Sequence, residues 1–120
     1  MRYLIALATL SLTAAPALAE DWDFVLINES GKPIKTIELS PAGAATWAPR
    51  MLDADEKKDS TVKPKARTTV RFDKPESQCR YDLRATFADD TTQIWSGANV
   101  CDYSYITLKL AGDKATISAN

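Results

Sequence analysis

The sequence predicts an all-β protein, a small antiparallel β-sandwich of about seven strands closed by one disulfide. Three observations carry that expectation. Residues 79–87 alternate strictly, with Cys79, Tyr81, Leu83, Ala85 and Phe87 set against Arg80, Asp82, Arg84 and Thr86. That is the period of a strand with one buried and one wet face. Clusters of Gly, Pro, Asn, Asp and Ser punctuate the rest of the chain at the spacing of short strands, and no segment sustains a helical period. The only two cysteines are Cys79 and Cys101.

The N-terminal stretch is set aside first. Arg2 precedes a run that is apolar or small from Leu4 to Ala15, and Ala17, Leu18 and Ala19 form a small-residue cleavage site. Residues 1–19 are therefore expected to be a signal peptide and residues 20–120 a single β-domain, periplasmic or secreted. The run is too short to cross a bilayer as a helix, so no transmembrane segment is expected in the mature chain. The whole chain has a formal net charge of −1, which loss of Arg2 makes −2. Such a balance offers no general attraction to nucleic acid.

A core this small is marginal on its own, and a covalent staple offsets that. An exported chain meets an oxidising compartment, and two cysteines allow one pairing, Cys79 with Cys101. The chain has no histidine to complete a zinc set or activate a thiolate. The bridge is expected to contribute about 3 kcal/mol by closing a loop of this length in the unfolded chain. It should tie the hairpin around 81–95 onto a neighbouring strand.

Taken in order, residues 22–28 read as a strand with Trp22, Phe24 and Leu26 on one face and Val25 and Ile27 on the other, buried on much of both sides. Glu29 to Pro33 supplies a turn, and residues 34–39 the second strand. Residues 40–66 hold Pro41, Gly43, Pro49 and Pro64 around a charged run from Asp53 to Asp59, a long connection for so small a domain. Trp47, Met51 and Leu52 are expected to pin it, at a spacing that also allows one helical turn. Residues 68–72 and 79–87 are strands, Ala88 to Asp90 a turn, and 91–95 a strand broken by Ser96 and Gly97. Residues 103–110 form a strand, and 115–118 a short edge strand or frayed tail.

Several runs resemble landmarks of a family of small exported bacterial proteins of unassigned activity. They are Asp23-Phe24-Val25-Leu26-Ile27-Asn28-Glu29-Ser30-Gly31, Ile37-Glu38-Leu39-Ser40-Pro41, Trp47-Ala48-Pro49-Arg50-Met51-Leu52, Cys79-Arg80-Tyr81-Asp82-Leu83-Arg84 and Asn99-Val100-Cys101. The resemblance implies an exported, disulfide-linked β-domain and transfers no catalytic residue. Ala48 stands where that family commonly has glycine.

No catalytic residue is assigned, since histidine, a nucleophile elbow and a phosphate loop are all missing. A small hydrolase using two carboxylates is the remaining enzymatic alternative. Acidic residues gather at Glu20, Asp21 and Asp23, at Asp53, Asp55 and Glu56, at Asp89 and Asp90, and at Asp102. Converging loops of this kind suit a calcium-stabilised domain, but Lys57 and Lys58 oppose a cation, so no metal or cofactor is assigned. The basic residues Lys57, Lys58, Lys63, Lys65, Arg67, Arg71 and Lys74, with Arg80 and Arg84, read as a charged wet face paired across strands. Trp22 is expected inside. Trp47, Trp95 and Tyr105, with the 40–66 connection, form the candidate binding surface, because exposed aromatics anchor proteins and sugars. The expected function is a non-catalytic binding module for a protein or envelope component, with a calcium-stabilised or glycan-binding domain as the alternative.

Overall fold

A computed structural model describes residues 20–120, and the expected signal peptide lies outside the described residues. Eight strands follow one another: β1 (Glu20–Glu29), β2 (Ile34–Pro41), β3 (Ala48–Pro49), β4 (Arg67–Lys74), β5 (Arg80–Phe87), β6 (Thr92–Asn99), β7 (Tyr105–Ala111) and β8 (Lys114–Ala119). There is no helix among the described residues. The strands form two four-stranded sheets, ordered β4-β1-β7-β8 (sheet one) and β3-β2-β5-β6 (sheet two).

The inward residues are those the alternation selects. Phe24, Leu26, Val70, Phe72, Ile106 and Leu108 come from sheet one, and Ile37, Leu39, Tyr81, Leu83, Phe87 and Trp95 from sheet two. All belong to one buried cluster. Phe72 and Tyr81 meet edge-on across the layers with centroids 5.1 Å apart, and the Trp95 Nε1 donates to the Lys109 carbonyl at 2.9 Å. The core is thus fastened by ring geometry and a cross-sheet hydrogen bond as well as by area.

Pairing is antiparallel except between β1 and β7, which run parallel with Val25 opposite Tyr105 and Ile27 opposite Thr107. A parallel pair needs a long crossover, and here the crossover is the whole of β2 to β6. β1 is buried fully on one face only. No layer covers Val25 and Ile27, which stay half-buried.

Two expectations about sheet two change. Ser96 and Gly97 do not end the strand; β6 continues to Asn99 through a bulge opposite Tyr81 to Leu83. Gly97 adopts φ 75°, and its N–H donates to Asp82 Oδ1 at 3.0 Å, so the extra residue is held in place. The disulfide joins Cys79 and Cys101, with Cα atoms 5.2 Å apart. It does not tie the hairpin to another strand. Arg80 pairs with Asn99 at the open end of the β5–β6 hairpin, and the bridge lies just beyond, closing the mouth of that same hairpin.

The connection from β2 to β4 is pinned by the Met51 backbone and, more firmly, by a side chain outside the expected set. Arg50 N donates to Ile37 O at 3.1 Å and Met51 N to Arg71 O at 2.8 Å, so the segment steps from sheet two to sheet one and covers that side of the sandwich. Met51 itself is 46% exposed. The anchor is the buried Arg50 guanidinium, which donates to Glu56 Oε2 (3.1 Å), Thr68 Oγ1 (2.9 Å) and the Ser60 carbonyl (3.2 Å). Burial lowers its pKa, against the opposing pull of Glu56 and Asp53. A second buried cation, Lys74, sits 4.3 Å from the Trp22 ring centroid and donates to the carbonyls of Pro75 and Glu76.

Candidate functional site

The outer face of sheet two presents one organised cluster. The registers place Glu38 opposite Arg84 and Arg84 opposite Ile94, a row across β2, β5 and β6. Arg84 donates through Nε and Nη2 to the two Glu38 carboxylate oxygens at 3.2 and 2.9 Å. The guanidinium fork matches the carboxylate and is thereby fixed in orientation. The Trp47 ring lies over it, with the centroid 4.6 Å from Arg84 Cζ. Beyond Arg84, Ile94 is 44% exposed.

The chain between β2 and β3 delivers Trp47 to this position. Pro41 and Gly43 turn the backbone, with the Ala44 N–H donating to the Pro41 carbonyl at 3.0 Å. Gly43 N donates to Asp82 Oδ2 and Thr46 N to the buried Ser40 hydroxyl, both at 3.0 Å. Asp82 therefore grips this loop with one oxygen and the β6 bulge with the other. Beneath the loop lies a cleft of about 280 Å³ lined by Leu39, Pro41, Met51, Phe72, Asp73 and Tyr81.

The three aromatic residues singled out in the sequence do not share a surface. Trp95 is 1% exposed and belongs to the core; it stands directly opposite inward-facing Leu83, and that register sends it inward. Tyr105 is 45% exposed, but it stands on the outer face of sheet one. Trp47 alone remains with the cluster, and its partners Glu38, Arg84 and Ile94 were not singled out as a set. The signal was available for Arg84, an outward residue on the best-patterned strand. It was missing for Glu38 and Ile94, whose adjacency needs the register.

The acidic residues are largely occupied in turns. Asp53 accepts from the Glu56 N–H, and Glu56 in return accepts from the Asp53 N–H, a reciprocal cap on the turn that follows. Asp59 accepts from Thr61 N, and Asp89 from both the hydroxyl and the N–H of Thr91. These bonds hold the carboxyls of Asp53, Asp59 and Asp89 below the usual range. Among the described residues no group of three His, Cys, Asp or Glu side chains is placed to hold a metal ion. Asp21 stands directly opposite Asp73 on sheet one, and the proton that two facing carboxyls can share, with some desolvation and their like charge, pushes the Asp73 pKa up.

Among the described residues no helix is long and apolar enough to cross a membrane. No protein-family model, curated protein or solved structure matches the chain.

Proposed function

We propose that this protein is a non-catalytic exported binding module, periplasmic or secreted, that docks a partner protein on the outer face of sheet two. The observation that carries the reading is the Trp47 ring held over Arg84, which is itself locked to Glu38 and flanked by exposed Ile94. Trp and Arg dominate binding energy when their geometry is fixed before the partner arrives, because less freedom is lost on docking. An apolar neighbour and a partly open aromatic give such a site area; the ion pair gives it register. The disulfide and the family resemblance support an exported setting, and the fold supplies a rigid platform without contributing chemistry of its own.

The test is capture from an envelope extract by the full chain expressed with its own leader, alongside Trp47→Ala and Ile94→Asp. Partners retained by the wild type should be lost from both variants, each of which keeps the core intact. The same set of partners on all three proteins rejects the reading.

A further inference from the structure

The segment that crosses between the sheets leaves an opening at the side of the sandwich. Met51 pairs with Arg71 at the edge of β4, whereas Arg50 before it bonds Ile37 in sheet two. Had the chain run on along β4, Pro49 would stand opposite Asp73; instead it pairs with Glu38. The cleft of about 280 Å³ occupies the resulting fork, with Ala48 and Pro49 on one wall, Asp73 on the other, and Leu39, Phe72 and Tyr81 behind them. Those last three are 4–5% exposed, against at most 2% for the rest of the core apart from Val62, so the cleft reaches the core itself.

Alternate residues of an edge strand turn their backbone groups towards the neighbouring strand and away from it. In β4 the carbonyls of Thr69 and Arg71 point away from β1, the first accepting from the Arg50 side chain and the second from the Met51 N–H. Asp73 is the next residue of that set, and among the described residues no backbone group bonds its N–H or its carbonyl on that side. A free donor and acceptor therefore border an apolar cleft. The Asp73 side chain, next along from buried Phe72, stands on the outer face beside Asp21. On the rows Asp21–Asp73 and Asp23–Arg71, three carboxylates meet one cation.

We infer that the β4 edge at Asp73 and the adjoining cleft form a strand-addition site for an extended peptide segment that carries a lysine or arginine beside an apolar residue. Register dictates the pattern. A peptide residue paired with Asp73 takes its free backbone bonds and sets its side chain on the outer face, beside Asp21 and Asp73, while the next residue turns inward towards Leu39, Phe72 and Tyr81. The cleft and the free edge make the site, and the unbalanced carboxylates select a cationic occupant. Cavities for small molecules start at about 300 Å³, so this cleft suits one side chain of a peptide. Met51, 46% exposed at the cleft edge, has the freedom to repack around it. Because Met51 already holds Arg71, one ladder position is on offer and binding is weak.

Amide NMR titration of the full chain, expressed with its own leader and purified, tests this with an end-blocked peptide of alternating leucine and lysine. Saturable shifts are expected at Phe72, Asp73 and Tyr81, and they should weaken as salt is raised. A leucine–glutamate peptide and a serine–lysine peptide should each bind at least about tenfold more weakly. Methylating the backbone nitrogens of the lysines, which face the edge, should cost more than methylating those of the leucines. Asp21→Asn combined with Asp73→Asn should erase the preference for lysine over glutamate. Ala48→Phe, at an exposed position on the cleft wall, should block the site, with circular dichroism confirming both folds. Ile94→Asp should leave peptide binding unchanged, so failure of the partner-protein reading on sheet two and failure of this one are separable. The inference is overturned by an absence of shifts at millimolar peptide, by shifts confined to other regions, or by equal binding of the acidic peptide. Equal binding of octylammonium, which has the charge and the apolar chain but no backbone, overturns it as well.

Discussion

The two outer faces of the sandwich settle their charges in opposite ways. On sheet two, Arg84 and Glu38 neutralise each other within one chain and the pair is spent on holding a Trp ring. On sheet one, Asp21 and Asp73 are left side by side while Arg67 stands apart. A self-satisfied pair holds its neighbours in fixed positions, whereas like charges set side by side store a repulsion that pH can relieve. The same architecture thus carries two differently organised outer faces, and the difference lies in a few outward positions per sheet.

The largest effect should come from the core residue that joins the two sheets behind these faces. Trp95→Ala removes a fully buried ring and its bond to the Lys109 carbonyl, and should cost about 3–5 kcal/mol in denaturant unfolding. Because the ring joins the sheets, both faces should fail together. A variant that lost only one face would show the layers to be independent.

Next comes the disulfide. Replacing Cys79 and Cys101 by serine should cost about 3 kcal/mol. Hydrogen exchange should rise first at the β5–β6 mouth, where the Val100 N–H donates to the Cys79 carbonyl. The Trp22 Nε1 bond to the Val100 carbonyl, 2.8 Å long, lies at the same end, so an altered Trp22 emission should accompany the loss. Unchanged melting under reducing conditions would contradict a structural role for the bridge.

Arg84→Ala acts on sheet two alone. It leaves Trp47 without its stacked cation and Glu38 without its fork, and should cost about 1 kcal/mol. Trp47 emission should shift towards that of a free ring while sheet one behaves as before. An equal rise in hydrogen exchange across β1 and β4 would break the separation of the faces.

The smallest effects are in pH. Asp53, Asp59 and Asp89 have folded pKa values below those of the unfolded chain. Their stabilisation is therefore complete above the ordinary carboxylate pKa and lost as pH falls through the lowered folded values. Asp73 has the opposite sign. Its folded pKa is raised, so the repulsion from Asp21 is present at neutral pH and relieved as pH falls through the raised value. Carbon-detected NMR titration should show Asp73 protonating before the other three, and Asp21→Asn should remove its advance. Co-titration of all four in the wild type would deny the like-charge pair on sheet one.

The sequence reveals most of the strands because alternation is a local property. Tyr81 to Phe87 needs no partner to declare its inner face, and Ile106 with Leu108 declares β7 in the same way. What stays hidden is what depends on register or on a distant partner. Nothing near Val25 announces that it will run parallel to Tyr105. Gly97 looks like a stop because the carboxylate that makes it a bulge, Asp82, is on another strand. Trp47 and Trp95 are equally plausible on a surface until Leu83 fixes which one points inward. Arg50 and Lys74 are missed for a different reason. Charged side chains are read as wet, and their burial here rests on carbonyls, a hydroxyl, a carboxylate and an aromatic ring assembled from separate segments.

The chain passes between the two sheets four times, and its first strand is completed by its seventh. During synthesis β1 therefore emerges long before one of its two neighbours exists, with an unpaired edge and the Phe24 and Leu26 side chains uncovered. The β5–β6 hairpin is local and closed covalently, so it can form early; sheet one must wait for Tyr105 to Ala111. Folding is expected to be slow for so short a chain, because its decisive contacts join its extremes. A chain that ends before Tyr105 lacks the strand that pairs with β1 from the far side.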